Sequence, residues 1–159
     1  MIEKIEDLIE FTKKHGSFEE FMHGIQNIRT RYYSRISAIV KTSECCITLK
    51  DVCEKGKVDW IYGRPTELCI LYNYVRRVVD CRKPYARIYR GGSPIKVGDW
   101  VALTYEYASW HGKVYSKAVR VEDVVWAMTS PEEWYYVPKE LQGKFKDFRD
   151  WWMFCNSIL

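Results

Sequence analysis

The chain has 159 residues, 47% of them hydrophobic and 29% charged, a balance that describes one folded domain and excludes a disordered or fibrous chain. No apolar run approaches the roughly 20 residues of a membrane-spanning helix, and the start Met1-Ile2-Glu3-Lys4 is charged and amphipathic rather than secretory, so a cytoplasmic protein without a membrane partner is expected. The net charge is +4, with short basic clusters at 29–35, 76–77 and 82–90, which suits a solvated surface and also contact with an acidic ligand or nucleic acid.

The first 83 residues read as mainly helical. Ile2, Ile5, Leu8, Ile9 and Phe11 recur every three or four positions and form one apolar stripe that Gly16 ends. Ser17 with Glu20 predicts a capping box. The helix it opens carries Phe18, Phe21, Met22, Ile25 and Ile28 on one side and can continue through Tyr32, Ile36 and Ile39. Residues 42–63 are ambiguous: Ile47, Leu49 and Val52 fit a short strand or a helix start, and Lys55-Gly56-Lys57 fits a turn. Pro65 suits the first position of a helix whose stripe is Leu68, Ile70, Leu71, Tyr74, Val75 and Val78.

After Pro84 the periodicity becomes that of strands. Strands are expected over 86–90, 99–103, 114–121 and 134–137, with another strand or a tight turn over 122–127. A turn-rich loop covers 93–98, and a short helix over 106–111 ends at Gly112. Residues 139–157, with Leu141, Phe145, Phe148, Trp151, Trp152 and Phe154, read as an amphipathic helix. The expected fold class is α+β in a single domain. A helical part (1–83) packs on a small mixed β-sheet part that holds the site (84–138), and a C-terminal amphipathic helix (139–159) completes it.

Cys45, Cys46, Cys53, Cys69, Cys81 and Cys155 form no Cys-x-x-Cys pair, and His15, His23 and His111 lie far from them. No metal is expected. The cysteines fit small buried hydrophobes, or disulfides of the kind found inside hyperthermophilic hosts. Scarce Asn and Gln beside plentiful Lys, Glu, Val and Ile agree with a thermophile.

The chemistry-bearing residues fall in the second half. Arg90 ends a strand before Gly91-Gly92, where a ligand can approach the backbone closely; its planar fork suits a diphosphate, and it equally fits a surface arginine at a tight turn. Thr104 ends the next strand. Tyr107 and Trp110 offer rings that can stack on a flat heterocycle or simply pack in a core, with His111 beside them. Glu132 and Glu133 follow Ser130-Pro131, and a carboxylate there can hold a ribose hydroxyl and stabilise positive charge as a glycosidic bond breaks, or face solvent on a turn.

Tyr89-Arg90, Gly98-Asp99-Trp100-Val101, Tyr107-Ala108 with His111-Gly112, and Glu133-Trp134-Tyr135 occur in that order over residues 85–138. This third of the chain resembles the ADP-ribosyltransferase superfamily in its arginine–serine–glutamate branch, and more closely the ADP-ribosyltransferase-like modules of phage and other mobile elements. The resemblance implies NAD as substrate. Arg90 would then lie on the diphosphate or nicotinamide ribose, Thr104 in the hydroxyl position, Tyr107 near the nicotinamide with His111 in the same cofactor-binding group, and Glu133 would be the catalytic glutamate on the ribose 2′-hydroxyl. ADP-ribose would pass to water or to a host protein or nucleic acid. The usual Ser-Thr-Ser is here Leu103-Thr104-Tyr105, and Pro131 replaces the residue that often positions the acceptor.

Two other functions fit the residues. Arg29-Thr30-Arg31-Tyr32-Tyr33-Ser34-Arg35 suits contact with phosphates and bases, and Glu67, Asp80, Glu106 and Glu133 are candidate metal-binding carboxylates for a nuclease. A non-catalytic protein that binds a host factor is the third. The first reading requires Arg90, Thr104 and Glu133 to converge in an aromatic-lined cleft.

Overall fold

Helices form where apolar residues recur at helical spacing and a polar side chain closes the first turn. The computed structural model describes residues 2–27, 31–44, 46–54 and 65–158. Expectations placed on Ile28, Arg29, Thr30, Cys45, the Lys55-Gly56-Lys57 turn and the Glu67 side chain lie outside the described residues. After a 3-10 turn at Ile2–Ile5, helix α1 (Glu6–Lys13) buries Leu8 and Ile9. Helix α2 (Phe18–Asn27) opens as the Ser17/Glu20 pattern predicts. Ser17 Oγ accepts from the Glu20 amide at 3.2 Å, and the Glu20 carboxylate accepts from the Gly16 amide at 3.1 Å. Helix α3 is Arg31–Lys41.

The ambiguous segment resolves as helix α4 (Leu49–Cys53), because Thr48 and Asp51 form a complete capping box. Helix α5 (Pro65–Val78) begins on Pro65. It buries Leu68, Leu71 and Val75. Ile70, expected on that stripe, is 57% exposed, because a residue two positions after Leu68 lies well round the helix. The C-terminal helix is shorter than expected. Lys139–Leu141 is a 3-10 turn, Gly143 takes φ +70°, and helix α7 (Phe148–Ser157) starts only where Asp147 accepts from the Asp150 amide at 2.9 Å.

The chain divides into two compact units. The first comprises Met1–Cys46, Lys96–Asp99 and Glu140–Leu159. Trp151 and Phe145 are buried in its core, and the Trp151 indole donates to Thr12 Oγ1 at 2.8 Å. Burial pushes the Cys155 thiol up to about 12, so it acts as a small hydrophobe. The unit also encloses a polar clamp. Arg35, only 1% exposed, donates to the Val97 carbonyl at 2.6 Å and to the Asp7 carboxylate at 2.6 and 3.2 Å. Arg31 pairs with Asp99, which also accepts from the Lys96 amide at 2.7 Å. Gly98, at φ +87°, lies so close to Arg35 that a Cβ would fall 2.5 Å from its carbonyl oxygen. The Arg29–Arg35 segment, read as a nucleic-acid contact, therefore has Arg31 and Arg35 engaged by carboxylates of this unit.

The second unit comprises Ile47–Ile95 and Trp100–Lys139, so α4 and α5 belong with the strands. Strands β1 (Tyr85–Gly91) and β3 (Val114–Arg120) form an antiparallel ribbon running from the pair Tyr85↔Arg120 to Gly91↔Val114. Strands β2 (Trp100–Val101), β5 (Trp134–Tyr136) and β4 (Val124–Trp126) form a second sheet in the order β2-β5-β4, also antiparallel. Tyr89 bridges to Ala102, and Thr48 to Val125. The described residues are thus α+β, with seven α-helices and two small antiparallel sheets. The expected mixed sheet is not formed among the described residues: every strand pair in both sheets is antiparallel. The second strand, expected over 99–103, shortens to Trp100–Val101: the Asp99 amide closes a turn on the Lys96 carbonyl at 3.0 Å, and Ala102 makes an isolated bridge to Tyr89. A 3-10 turn at Val121–Asp123 precedes β4, so both alternatives for 122–127 are present.

Cys53 and Cys81 form a disulfide across a sequence separation of 28, tying the end of α4 to the segment after α5. Cys69 and Cys155 are free thiols.

Two stability outcomes follow. Burial works against the Asp7 carboxylate, but the Arg35 hydrogen bonds and charge, with Lys96, hold its carboxyl below the ordinary range. A depressed folded-state pKa gives stability that is present above the unfolded value of about 3.9 and lost as pH falls through the folded one. Asp7→Ala, which leaves Arg35 buried without its carboxylate, should cost about 3 kcal/mol in urea unfolding at pH 7, with the gap to wild type narrowing as pH falls below the unfolded value of about 3.9. Cys53→Ser should cost about 3 kcal/mol by releasing the closed loop in the unfolded chain, and a reductant should lower the wild-type Tm to match it while leaving the variant unchanged.

Candidate functional site

The end of β1 is built for close approach. Ile88 is buried, and strand alternation turns Arg90 to the same side, opposite Tyr115. Arg90 donates from Nε to Ser93 Oγ at 3.1 Å and from Nη1 to the Trp100 carbonyl at 2.8 Å, which fixes the guanidinium between the loop and β2. At Gly91 a Cβ would lie 2.1 Å from the Ala108 carbonyl oxygen and 2.9 Å from His111 Cβ. Only glycine admits helix α6 (Tyr105–Ser109) there.

Thr104 starts that helix. Its Oγ1 accepts from the Tyr107 amide at 3.3 Å as an N-cap. Gly112 ends the following turn at φ +117°. Tyr107 and His111, four positions apart, come to one side, with ring centroids 6.3 Å apart. Trp100 completes the cluster, 6.3 Å from Tyr107 and edge-on to His111 at 5.9 Å. Tyr89, Arg90, Trp100, Tyr107 and His111 are among the residues lining a cavity of about 250 Å³.

Glu133 precedes β5 and reaches the cluster through Tyr107. Its Oε1 accepts from the Tyr107 hydroxyl at 3.2 Å and from Ser130 Oγ at 3.2 Å; its Oε2 accepts from Thr129 Oγ1 at 2.8 Å. Indole donors fix the turn that carries it: Trp126 donates to the Ser130 carbonyl and Trp134 to the Pro131 carbonyl, each at 2.8 Å. Met128 in this turn has φ +64°, a conformation seldom taken by residues other than glycine. Burial, then the neighbouring Glu133 charge, pushes the Tyr107 phenol above its ordinary range, so it remains a donor at neutral pH.

Of the residues singled out in the sequence, Arg90, Tyr107 and His111 surround one cavity, Glu133 joins them by a hydrogen bond, and Thr104 acts on the backbone that holds Tyr107. Sequence reasoning missed Trp100 as a wall of the cavity, although it lies within Gly98-Asp99-Trp100-Val101. It also missed the Thr129 and Ser130 hydroxyls, whose signal was only their spacing of four and three from Glu133. Trp110, 85% exposed, is absent from the cavity lining. Of the carboxylates weighed for a nuclease, Asp80 pairs with Arg82 and Glu106 is exposed on α6. Among the described residues no three His, Cys, Asp or Glu side chains gather as a metal site, and no helix is long and apolar enough to cross a membrane. Comparison with protein-family models, with characterised proteins and with solved structures finds no match to this chain.

The site depends on the seat of α6 upon Gly91. Gly91→Ala should lower stability by about 1–3 kcal/mol through overpacking, and near-ultraviolet circular dichroism should report loosening of the Trp100, Tyr107 and His111 cluster. An unchanged aromatic spectrum with unchanged stability would contradict the close approach.

Proposed function

We propose that the cavity takes the nicotinamide ribose end of NAD and that the protein transfers ADP-ribose from NAD to an acceptor, or to water as an NAD glycohydrolase. The observation that carries this reading is the meeting of Arg90, Tyr107 and His111 around one cavity, with Glu133 hydrogen-bonded to the Tyr107 hydroxyl. The resemblance to the arginine–serine–glutamate branch of the ADP-ribosyltransferases assigns these positions to the same ligand. At about 250 Å³ the cavity suits part of a dinucleotide rather than the whole.

In this mechanism Trp100 and Tyr107 flank the nicotinamide ring and Arg90 supplies positive charge to the diphosphate. Glu133 accepts a hydrogen bond from the ribose 2′-hydroxyl, which strengthens as positive charge grows on the sugar ring. The bond between ribose C1′ and the nicotinamide nitrogen breaks, and its electron pair leaves with nicotinamide, which departs neutral. An acceptor hydroxyl or water then bonds to C1′ and releases its proton to solvent. Thr129, Ser130 and Tyr107 supply the hydrogen bonds that orient Glu133. Thr104 acts as a positioning residue through the α6 N-cap. The acceptor is a host protein or a nucleic acid, and Pro131 leaves its placement to groups other than the residue the family usually uses.

Nicotinamide release, followed by chromatography, tests the reading directly. Glu133→Gln should lower the rate by about 10²–10³-fold, the usual cost of losing one transition-state contact, while NAD still raises the Tm. Arg90→Ala should weaken NAD binding. No thermal shift with NAD and no nicotinamide release by the wild type would overturn the proposal.

A further inference from the structure

The C-terminal end of α5 carries cations that the proposed reaction does not use. Arg76, Arg77 and Arg82 line an open cleft of about 540 Å³ together with Asp80 and the disulfide-bonded Cys53 and Cys81. These residues all belong to the second unit, and none of them lines the cavity beside Gly91. Both cysteines are half-buried, so the disulfide forms part of the cleft wall.

Three guanidinium groups share the cleft with one carboxylate. Asp80 is engaged with Arg82, accepting from its Nε at 3.0 Å and from its Nη2 at 3.2 Å. Arg76 and Arg77 are exposed and lie over the rings of Tyr72 and Tyr74, 5.5 and 5.8 Å from their centroids. Among the described residues neither is paired with a carboxylate. Glu54, next to Cys53 in sequence, is exposed and is not among the lining residues. The last turn of a helix favours cations whatever their function, and that accounts for Arg76 and Arg77. It does not account for Arg82, which lies beyond α5, or for the disulfide in the same wall.

Positive charge beside a disulfide acts twice in thiol exchange. It concentrates an anionic attacking thiolate, and it lowers the pKa of the cysteine that leaves, which speeds its departure. The volume is that of a small-molecule site.

We propose that this cleft docks a small anionic thiol, and that the docked thiolate opens the Cys53–Cys81 disulfide. The incoming sulfur bonds to Sγ of one cysteine. The bond between the two cysteine sulfurs breaks, and its electron pair stays on the other sulfur, which leaves as a thiolate facing the arginines. The product is a mixed disulfide and one free cysteine. A second molecule of the same thiol attacks the mixed disulfide, is released as the small-molecule disulfide, and leaves both cysteines reduced. The thiol is the only reductant. The proposal does not use the NAD reading, and an absence of nicotinamide release would leave it standing.

Acid-quenched mass spectrometry of the oxidised protein follows the opening, with rates expressed per thiolate. Glutathione carries its charge on carboxylates, coenzyme A on phosphates, and cysteamine is a cation. Cys69→Ser serves as the background, so that the exposed Cys69 thiol takes no part. At low ionic strength at least one of the two anionic thiols should react about tenfold faster than cysteamine or more, and the faster of them identifies the preferred carrier of charge. The advantage should shrink in about 0.5 M salt. Arg76→Ala and Arg77→Ala should each slow the anionic thiol about threefold or more while leaving cysteamine no slower, and Arg77→Lys should retain the rate. Both arginines are exposed, so the oxidised variants should keep the wild-type Tm. Equal rates for anionic and cationic thiols, an unchanged rate when both arginines are removed, or an adduct on cysteines other than Cys53 and Cys81 would each overturn the proposal.

Discussion

The candidate site rests on one close approach: the Ala108 carbonyl of α6 lies where a side chain at residue 91 would have to be. Since Gly91 has no Cβ, a helix of five residues can sit on the end of β1. Such a helix has too few internal hydrogen bonds to stand alone. It persists because Thr104 caps its first turn, Gly112 turns the chain out of it, and Gly91 accepts it. Tyr107 and His111 are then fixed relative to Arg90 and Trp100, and the cavity among these four side chains is the consequence.

Glu133 illustrates how a carboxylate is held ready without an ion pair at the hydrogen bonds described for it. Three hydroxyls, from Tyr107, Thr129 and Ser130, donate to its two oxygens. Hydroxyls orient the group without adding a positive charge, which is what the proposed reaction asks of a carboxylate facing positive charge on a ligand. The turn beneath it is held by the indoles of Trp126 and Trp134 and includes a residue at positive φ, so the position of Glu133 is set by groups on either side of β5 and not by the strand alone.

The run Gly98-Asp99-Trp100-Val101 reads as a single motif, but its halves have different tasks. Gly98 leaves room for the Arg35 backbone and Asp99 holds Arg31, both inside the first unit. Trp100 and Val101 form β2 and line the cavity of the second. The same division explains why Arg31 and Arg35, read as surface cations in sequence, are structural: Arg35 is buried, with its donors directed to Asp7 and Val97.

Much of the local structure was legible in the chain. The stripes of α1, α2 and α5, the Ser17/Glu20 start of α2, Pro65 at the head of α5, and the short helix ended by Gly112 follow from side-chain periodicity and from caps that act within a few residues. The candidates Arg90, Tyr107, His111 and Glu133 were also legible, as residue types at strand ends and on a short helix. Tertiary structure decided what local rules cannot reach. The strands pair antiparallel in two sheets, Cys53 joins Cys81, and the buried Arg35 guanidinium donates to Asp7 and to the Val97 carbonyl. Each of these depends on which distant groups meet: strand partners, a second thiol, or the acceptor for a buried guanidinium. Sequence periodicity encodes which face of an element is apolar, whereas hydrogen-bond partners separated by tens of residues are fixed only once the chain has folded.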